Sequence, residues 1–415
     1  MSHFPSTQSR PTPDASLWQL LASPAIRLTV LIMALGFYGL LIKAAVTTTH
    51  HGITVGGAPL FYDFEAFYEA GRMALHGHAA AAYDDTRMIA AEQAAFPGMT
   101  VRLPWNYPPS LQLLVAPLAL LPYGIAWLVW STLGYGSFIL GLRQLLGKSP
   151  PLLLWVAPAA AVNLFFGQNG LLTAALLCSG ISLLDSRPRL AGVLLGLMTC
   201  KPQFALLLPL LLAADGRWRS VGAAVLSQAM LAGAALWLLG TAPWLGFVDR
   251  LAHPASVFNS SSSDWHAIPS MLILARTLGF PTALATAGHW CVALAATITA
   301  IWVWRRTTDV GARTAAAGAA ILLITPYLRA YDLALLTPAV LGLAADRVTR
   351  RGPVDTAVTL LAIALGWLAP LTLMFSTYPL QYGPLVSLLC LGAVAWRLLP
   401  GPTDTATRPK SEHGT

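Results

Sequence analysis

Charge is what this sequence has least of. Lys+Arg number 25 and Asp+Glu 17 in 415 residues, 10% in all, where a soluble domain runs near a quarter charged. With a hydrophobic share of 56% and a mean hydropathy of +0.63, the composition excludes disorder and an ordinary soluble enzyme. A polytopic membrane protein remains. The net charge of +8 is therefore an orientation signal, with Lys and Arg collecting in cytoplasmic loops. It is not a nucleic-acid footprint.

Cysteine is sparse too. Cys178, Cys200, Cys291 and Cys390 lie in or at the ends of apolar runs, and no two form a CxxC pair, which argues against a disulfide framework or a zinc site. HExxH is absent. His76-Gly77-His78 is an HxH pair with no third ligand at a recognisable spacing, so imidazoles here default to solvated or interfacial groups. No GxSxG, Walker or GxGxxG sequence occurs in the right context, which removes the usual hydrolase and nucleotide sites. No long-period internal repeat is visible.

What the chain does have is apolar runs, at about 25–46, 108–121, 124–142, 151–166, 169–184, 190–200, 203–214, 221–239, 283–304, 314–325, 331–345, 354–375 and 380–398. The pattern predicts an all-α membrane domain over 25–398 with about 11–13 membrane segments, flanked by cytoplasmic tails at 1–24 and 399–415. The first tail lacks a cleavage site. Several runs are short and flank polar knots: GQNG at 167–170, CKPQ at 200–203 and TPYLRAYD at 325–332. Broken helices persist in a bilayer only where the irregular backbone lines a protein cavity.

If 108–142 makes one net crossing, 17 of the 25 positive residues fall on the cytoplasmic side. Two full spans there would invert the downstream chain and leave 6 inside. The first arrangement follows the positive-inside rule. It requires 108–121 to be re-entrant or interfacial, and it turns all three knots and the 47–106 loop to the non-cytoplasmic side. In that loop, FEAFYEAGRMALHG (64–77) reads as an amphipathic helix lying in the membrane interface. A second polar loop spans 240–269 and holds an Asn259-Ser-Ser triplet, a weak glycosylation signal.

Asp63 sits where it can cap the 64–77 helix or act as a base. Asp63-x-Glu65 offers a divalent metal only two carboxylates, and hard cations want more oxygens. Gln168 and Asn169 can tie off backbone groups freed at the GQNG break. Lys201 and Arg329 lie between apolar half-helices, where a cation needs an anionic partner. Asp332, three residues on, is the local partner for Arg329. Lys201 has no acidic neighbour in sequence, which leaves an anionic ligand as one reading.

The segments YDFEAFYEAGRMALHGHAAAAYD (62–84), NYPPSLQLLVAPLALLPYGIAWLVW (106–130), GQNGLLTAALLCSGISLLDSRPRLAGVLLGLMTCKPQFALLLPLLL (167–212) and TPYLRAYDLALL (325–336) resemble the glycosyltransferase family 87 membrane proteins, over about residues 25–345. The resemblance implies a GT-C architecture and an active site facing away from the cytoplasm. It implies a polyprenyl-phosphate sugar donor, with mannose or another hexose or pentose moved to a lipid or glycan acceptor with inversion. It places the catalytic base on Asp63 and leaves metal dependence open. The residues expected to bind substrate are Glu65, Tyr107, Gln168, Asn169, Lys201, Gln203, Arg329 and Asp332. Richness in Ala, Gly, Pro and Arg points to a GC-rich bacterium and hence to the cytoplasmic membrane, with the site facing the periplasm or exterior. The rivals are a transporter or lipid flippase without chemistry, which also uses broken helices and intramembrane charges, and an O-antigen-type ligase.

Overall fold

The structure is a computed structural model describing residues 23–47, 49–50, 52–54, 56–252, 265, 267–346, 352–375 and 381–400. The Asn259 triplet, Ser260–Ser263, His51, His253, His266 and most of both tails lie outside the described residues.

Helix follows helix in the order the apolar runs predict. The membrane-type elements are α1 (Pro24–Thr47), α4 (Pro109–Val115, continued by a 3-10 turn over Ala116–Leu120), α5 (Tyr123–Leu146), α6 (Leu152–Trp155), α7 (Pro158–Phe166), α8 (Gly170–Ser182), α9 (Pro188–Leu197, then a 3-10 turn over Met198–Cys200), α10 (Pro202–Ala205), α11 (Leu207–Ala214), α12 (Trp218–Leu239), α15 (Thr282–Arg306), α16 (Val310–Ile324), a 3-10 segment over Ala330–Leu335, α17 (Leu336–Ala345), α18 (Pro353–Phe375) and α19 (Tyr382–Leu398). The loop layer adds a two-residue hairpin pairing Thr49 with Thr54 and His50 with Ile53, then α2 (Phe64–Leu75), a 3-10 turn over Ala79–Tyr83, α3 (Asp85–Ala95), α13 (Ala242–Ala252) and α14 (Met271–Thr277). Among the described residues four helices, over 123–146, 218–239, 282–306 and 353–370, are long and apolar enough to cross a membrane, and eight shorter apolar helices of 10–17 residues accompany them. The chain is a polytopic, all-helical membrane protein.

Proline and glycine punctuate the spans. Prolines open α4, α7, α8's neighbour α9 and α10 at their first turns, where the missing N–H costs no helical bond. The α4 segment and its 3-10 extension rise only about 20 Å, short of the roughly 30 Å hydrocarbon core. At the centre lies α16, whose residues from Gly311 to Leu323 are all buried. Its Ala-Gly surface lets α17, α15 and α19 approach closely. A buried Arg397 there holds both Asp346 and Asp355.

The loop layer is built on aromatic packing. On α2, Phe64 and Phe67 are fully buried. They join Trp105, Leu111, Val115 and Ala126 in a core of their own. The amphipathic helix thus spends its aromatic face on protein, not on the lipid interface expected from the sequence, because α4 and its extension lie beneath it. Gln112, fully buried, ties that contact by donating to the carbonyls of Ala70 (3.1 Å) and Ala79 (3.0 Å). The stretch before the second polar loop forms α13 (Ala242–Ala252). Arg250 of α13 bonds Asp85 at 2.5 Å and the carbonyl of Tyr83 at 3.0 Å, clamping it to the first loop.

Candidate functional site

Asp63 stands at the first position before α2 but does not cap it: its backbone is αR and its side chain accepts no bond from the helix. The carboxylate goes elsewhere. Gln168 donates from Nε2 to Asp63 Oδ2 at 2.8 Å, and Tyr331 is close enough to favour the ionised carboxylate. The cap reading therefore falls, because a helix with a free first turn has released its acid to a distant partner.

The local backbone is bent to make this possible. Phe61 and Tyr62 have φ of 68° and 33°, a region costly for bulky residues, at about 1–3 kcal/mol each. Packing holds them there. The Phe61 ring stacks on Trp127 with centroids 3.7 Å apart and an interplanar angle of 9°. Tyr62 meets Phe166 edge-on at 5.4 Å, and Tyr123 donates its hydroxyl to the carbonyl of Leu60 at 2.9 Å.

The GQNG knot arrives at Asp63 on a left-handed Gly167 (φ 65°), where a Cβ would strike Phe64. Trp127 and Trp130 of α5 donate to the carbonyls of Leu164 (3.1 Å) and Gly167 (3.0 Å), so α5 fixes the break. Gln168 is oriented by its own donors. Tyr107 gives its hydroxyl to Oε1 at 3.0 Å, and the Asn169 amide approaches the same oxygen at 3.3 Å. With both donors on Oε1, the Nε2 end faces Asp63. The Asn169 side chain is buried with neither polar atom bonded to protein.

The other two knots meet each other. Lys201, buried, forms an ion pair with Asp332, 131 residues on. This corrects the expected Arg329–Asp332 pair: Asp332 takes Lys201 on Oδ1 and accepts the backbone N–H of Arg329 on Oδ2 at 2.9 Å. The Lys201 ammonium also lies 4.9 Å from the centroid of the Tyr331 ring. Arg329 is left half-buried with no carboxylate partner among the described residues; its Nε donates to the Tyr327 hydroxyl at 2.9 Å. Gly170 lets the first and third knots touch. A Cβ there would hit the Tyr331 carbonyl oxygen and lie 2.6 Å from Asn163 Oδ1. Asn163 in turn donates to that carbonyl at 3.0 Å.

Burial lifts the Asp63 carboxyl to about 6, held from rising further by the Gln168 hydrogen bond, by the positive charges of Arg329 and Lys201, and by Tyr331. The side chain keeps some exposure. At neutral pH it is mostly ionised, partly open and not ion-paired, which is the state a proton acceptor needs.

Not every expected residue joins this network. Glu65 is fully buried on α2 against Glu92 of α3, with no donor on either carboxylate. Burial and the neighbouring charge of Glu92 push its pKa well above the ordinary value. It does not converge with Asp63 on a metal, and among the described residues no three potential ligands cluster. Gln203 makes no hydrogen bond among the described residues. Sequence reasoning missed Tyr331, Asn163 and Tyr327. Tyr331 lies inside TPYLRAYD, one residue before Asp332, but only three-dimensional placement brings it near Asp63.

The family model of glycosyltransferase family 87 matches residues 105–326, more than half of the chain. That stretch carries Tyr107, Gln168, Asn169, Lys201 and Gln203, begins after Asp63 and ends before Arg329. Searches of curated proteins and of solved structures returned no match. A helical membrane protein whose broken spans converge on one ionisable carboxylate, and whose sequence matches this model, belongs to glycosyltransferase family 87 and is a membrane glycosyltransferase.

Proposed function

We propose that this enzyme, of GT-C type, moves a sugar from a polyprenyl phosphate to a hydroxyl of a lipid or glycan acceptor, with inversion, on the outer face of a bacterial cytoplasmic membrane. The observation that carries this reading is that Gln168 of the first polar knot holds Asp63, a partly exposed carboxylate, at 2.8 Å, where its ionisation feels the positive charges of Arg329 and Lys201 from the other two knots. Asp63 accepts the proton of the acceptor hydroxyl as that oxygen bonds to the anomeric carbon. The bond from that carbon to the phosphate oxygen breaks on the opposite side, and its electron pair leaves with the polyprenyl phosphate. Arg329 offsets the charge that develops there.

The neighbours take distinct parts. Gln168 and Tyr107 aim the base, and the Lys201–Asp332 pair holds the second and third knots together under the Arg329 backbone. Asn169, buried without a protein partner, is a natural contact for a sugar hydroxyl, since a buried amide left unpaired costs about 1–3 kcal/mol. Gln203 and Glu65 are the least supported of the substrate-binding set.

The test is transfer in detergent from a polyprenyl-phosphate sugar labelled in the sugar. Appearance of label in the acceptor, with stoichiometric free polyprenyl phosphate, is expected. Movement of intact donor between leaflets with no release of lipid phosphate would identify a flippase instead.

A further inference from the structure

The far end of α9 from Lys201 carries a second concentration of charge that sugar transfer does not use. Arg187, Pro188, Arg189, Leu190 and Arg219 line an open depression of about 400 Å³. All three arginines are exposed, and none has an ion-pair partner among the described residues. The nearby acids are already taken: Asp185 binds Arg217 at 2.6 Å, and Asp215 binds Arg217 and Arg313, both at 2.7 Å.

Two helix N-termini add to this field. Helices α9 and α12 run parallel, with Gly192 against the backbone of Ser220 and Gly196 against Ala224. Ser220 donates its hydroxyl to the carbonyl of Pro188 at 2.8 Å, locking the two starts side by side. Neither start has a side-chain cap. Each contributes about half a positive charge, so three guanidiniums and two dipole ends face one concavity with no counter-charge from the protein. Such an arrangement calls for an anion.

The depth of the site says which. Trp218 and Trp237 are both exposed at the ends of α12, about 28 Å apart along the axis, which matches the hydrocarbon core between two interfacial aromatic belts. Trp218 adjoins Arg219, so the depression lies at headgroup level. Val225, Leu226 and Met230, all exposed, continue from it as an apolar lane for acyl chains. We propose that this depression binds the phosphate headgroup of an anionic phospholipid, in the leaflet opposite the Asp63 site and about 20 Å along α9 from Lys201.

The test uses the full-length, delipidated protein in detergent, with phosphatidylglycerol and phosphatidylcholine as probes, read by native mass spectrometry. Phosphatidylglycerol should be retained over phosphatidylcholine, and retention should fall as salt rises. The double variant Arg189→Gln/Arg219→Gln should lose about tenfold in retention, while Arg143→Gln, an exposed arginine outside the depression, keeps it. Millimolar inorganic phosphate should not displace the lipid. Equal retention of the two lipids, retention indifferent to salt, or an unchanged double variant would overturn the proposal. Ready displacement by inorganic phosphate would also overturn it, in favour of a soluble anion. The salt and competition arms need only the wild-type chain, so a poorly folding variant does not rescue the idea.

Discussion

Gln168 donates from Nε2 to Oδ2 of Asp63 across 2.8 Å, joining the break between α7 and α8 to the start of α2. Tyr107 on Oε1 keeps the amide from turning over. Because the bond favours the ionised carboxylate, removing it should raise the Asp63 pKa. The acid limb of kcat/KM, expected near pH 6 in the wild type, should move to higher pH in Gln168→Leu. A bond worth about 1 kcal/mol shifts the pKa by about 0.7, so activity should drop about threefold near pH 6 and less than about twofold at neutral pH. An acid limb that stays in place would mean Gln168 does not act on Asp63.

The two intramembrane cations should separate by phenotype. Lys201→Met strands Asp332 inside the protein, which costs about 3–5 kcal/mol, so the melting temperature in detergent should fall. The double variant Lys201→Met/Asp332→Asn should recover much of that loss. Arg329→Gln removes a group with no ion pair, so it should melt near the wild type yet turn over slowly. A Lys201→Met protein with normal melting and no activity would transfer the leaving-phosphate role to Lys201.

The proximity of Glu65 and Glu92 makes the loop layer sensitive to pH. Burial raises the Glu92 carboxyl from its ordinary 4.5 to about 7, and Glu65 is raised as well. The folded layer then holds more protons than the unfolded chain between those values, so its stability declines as pH rises through that window. Hydrogen-exchange protection over 64–95, corrected for the base-catalysed intrinsic rate, should be higher on the acid side than on the alkaline side. Glu92→Gln, whose amide can donate to Glu65, should flatten the difference; an undiminished difference would place its origin in another group.

Gly170→Ala tests whether the first and third knots must touch. Its Cβ would collide with the Tyr331 carbonyl, pushing Tyr331 away from Asp63. Activity should fall by at least about tenfold, since misplacing catalytic groups by an ångström is costly, while the protein still reaches the membrane. Full activity would show that the knots tolerate separation.

Much of this was readable in the sequence, and the remainder has physical reasons for being hidden. Apolar runs located the spans closely, because hydrocarbon leaves the backbone few options; the run at 283–304 is α15, Thr282–Arg306. The knots were visible as polar residues in apolar surroundings. Partnerships were not. Lys201 seemed isolated because its acid is 131 residues away, and Asp332 seemed to belong to Arg329 because it was near in sequence. Helix α3, with almost no apolar periodicity, left no trace in the pattern, so the burial of Glu92 and its meeting with Glu65 could not be foreseen. The left-handed Phe61 and Tyr62 were equally silent, since nothing in an aromatic pair announces a positive φ.

The central claim is that Asp63 takes the acceptor's proton, and Asp63→Asn measures it most directly. The amide keeps the size of the side chain, and no helix cap is lost because Asp63 makes none. The variant should therefore fold and bind the polyprenyl-phosphate sugar. Its turnover in detergent, measured as sugar transferred to acceptor, should fall about 100- to 10,000-fold, the usual worth of general-base help. Turnover near that of the wild type would contradict the account and leave the base to be sought elsewhere among the groups around the knots.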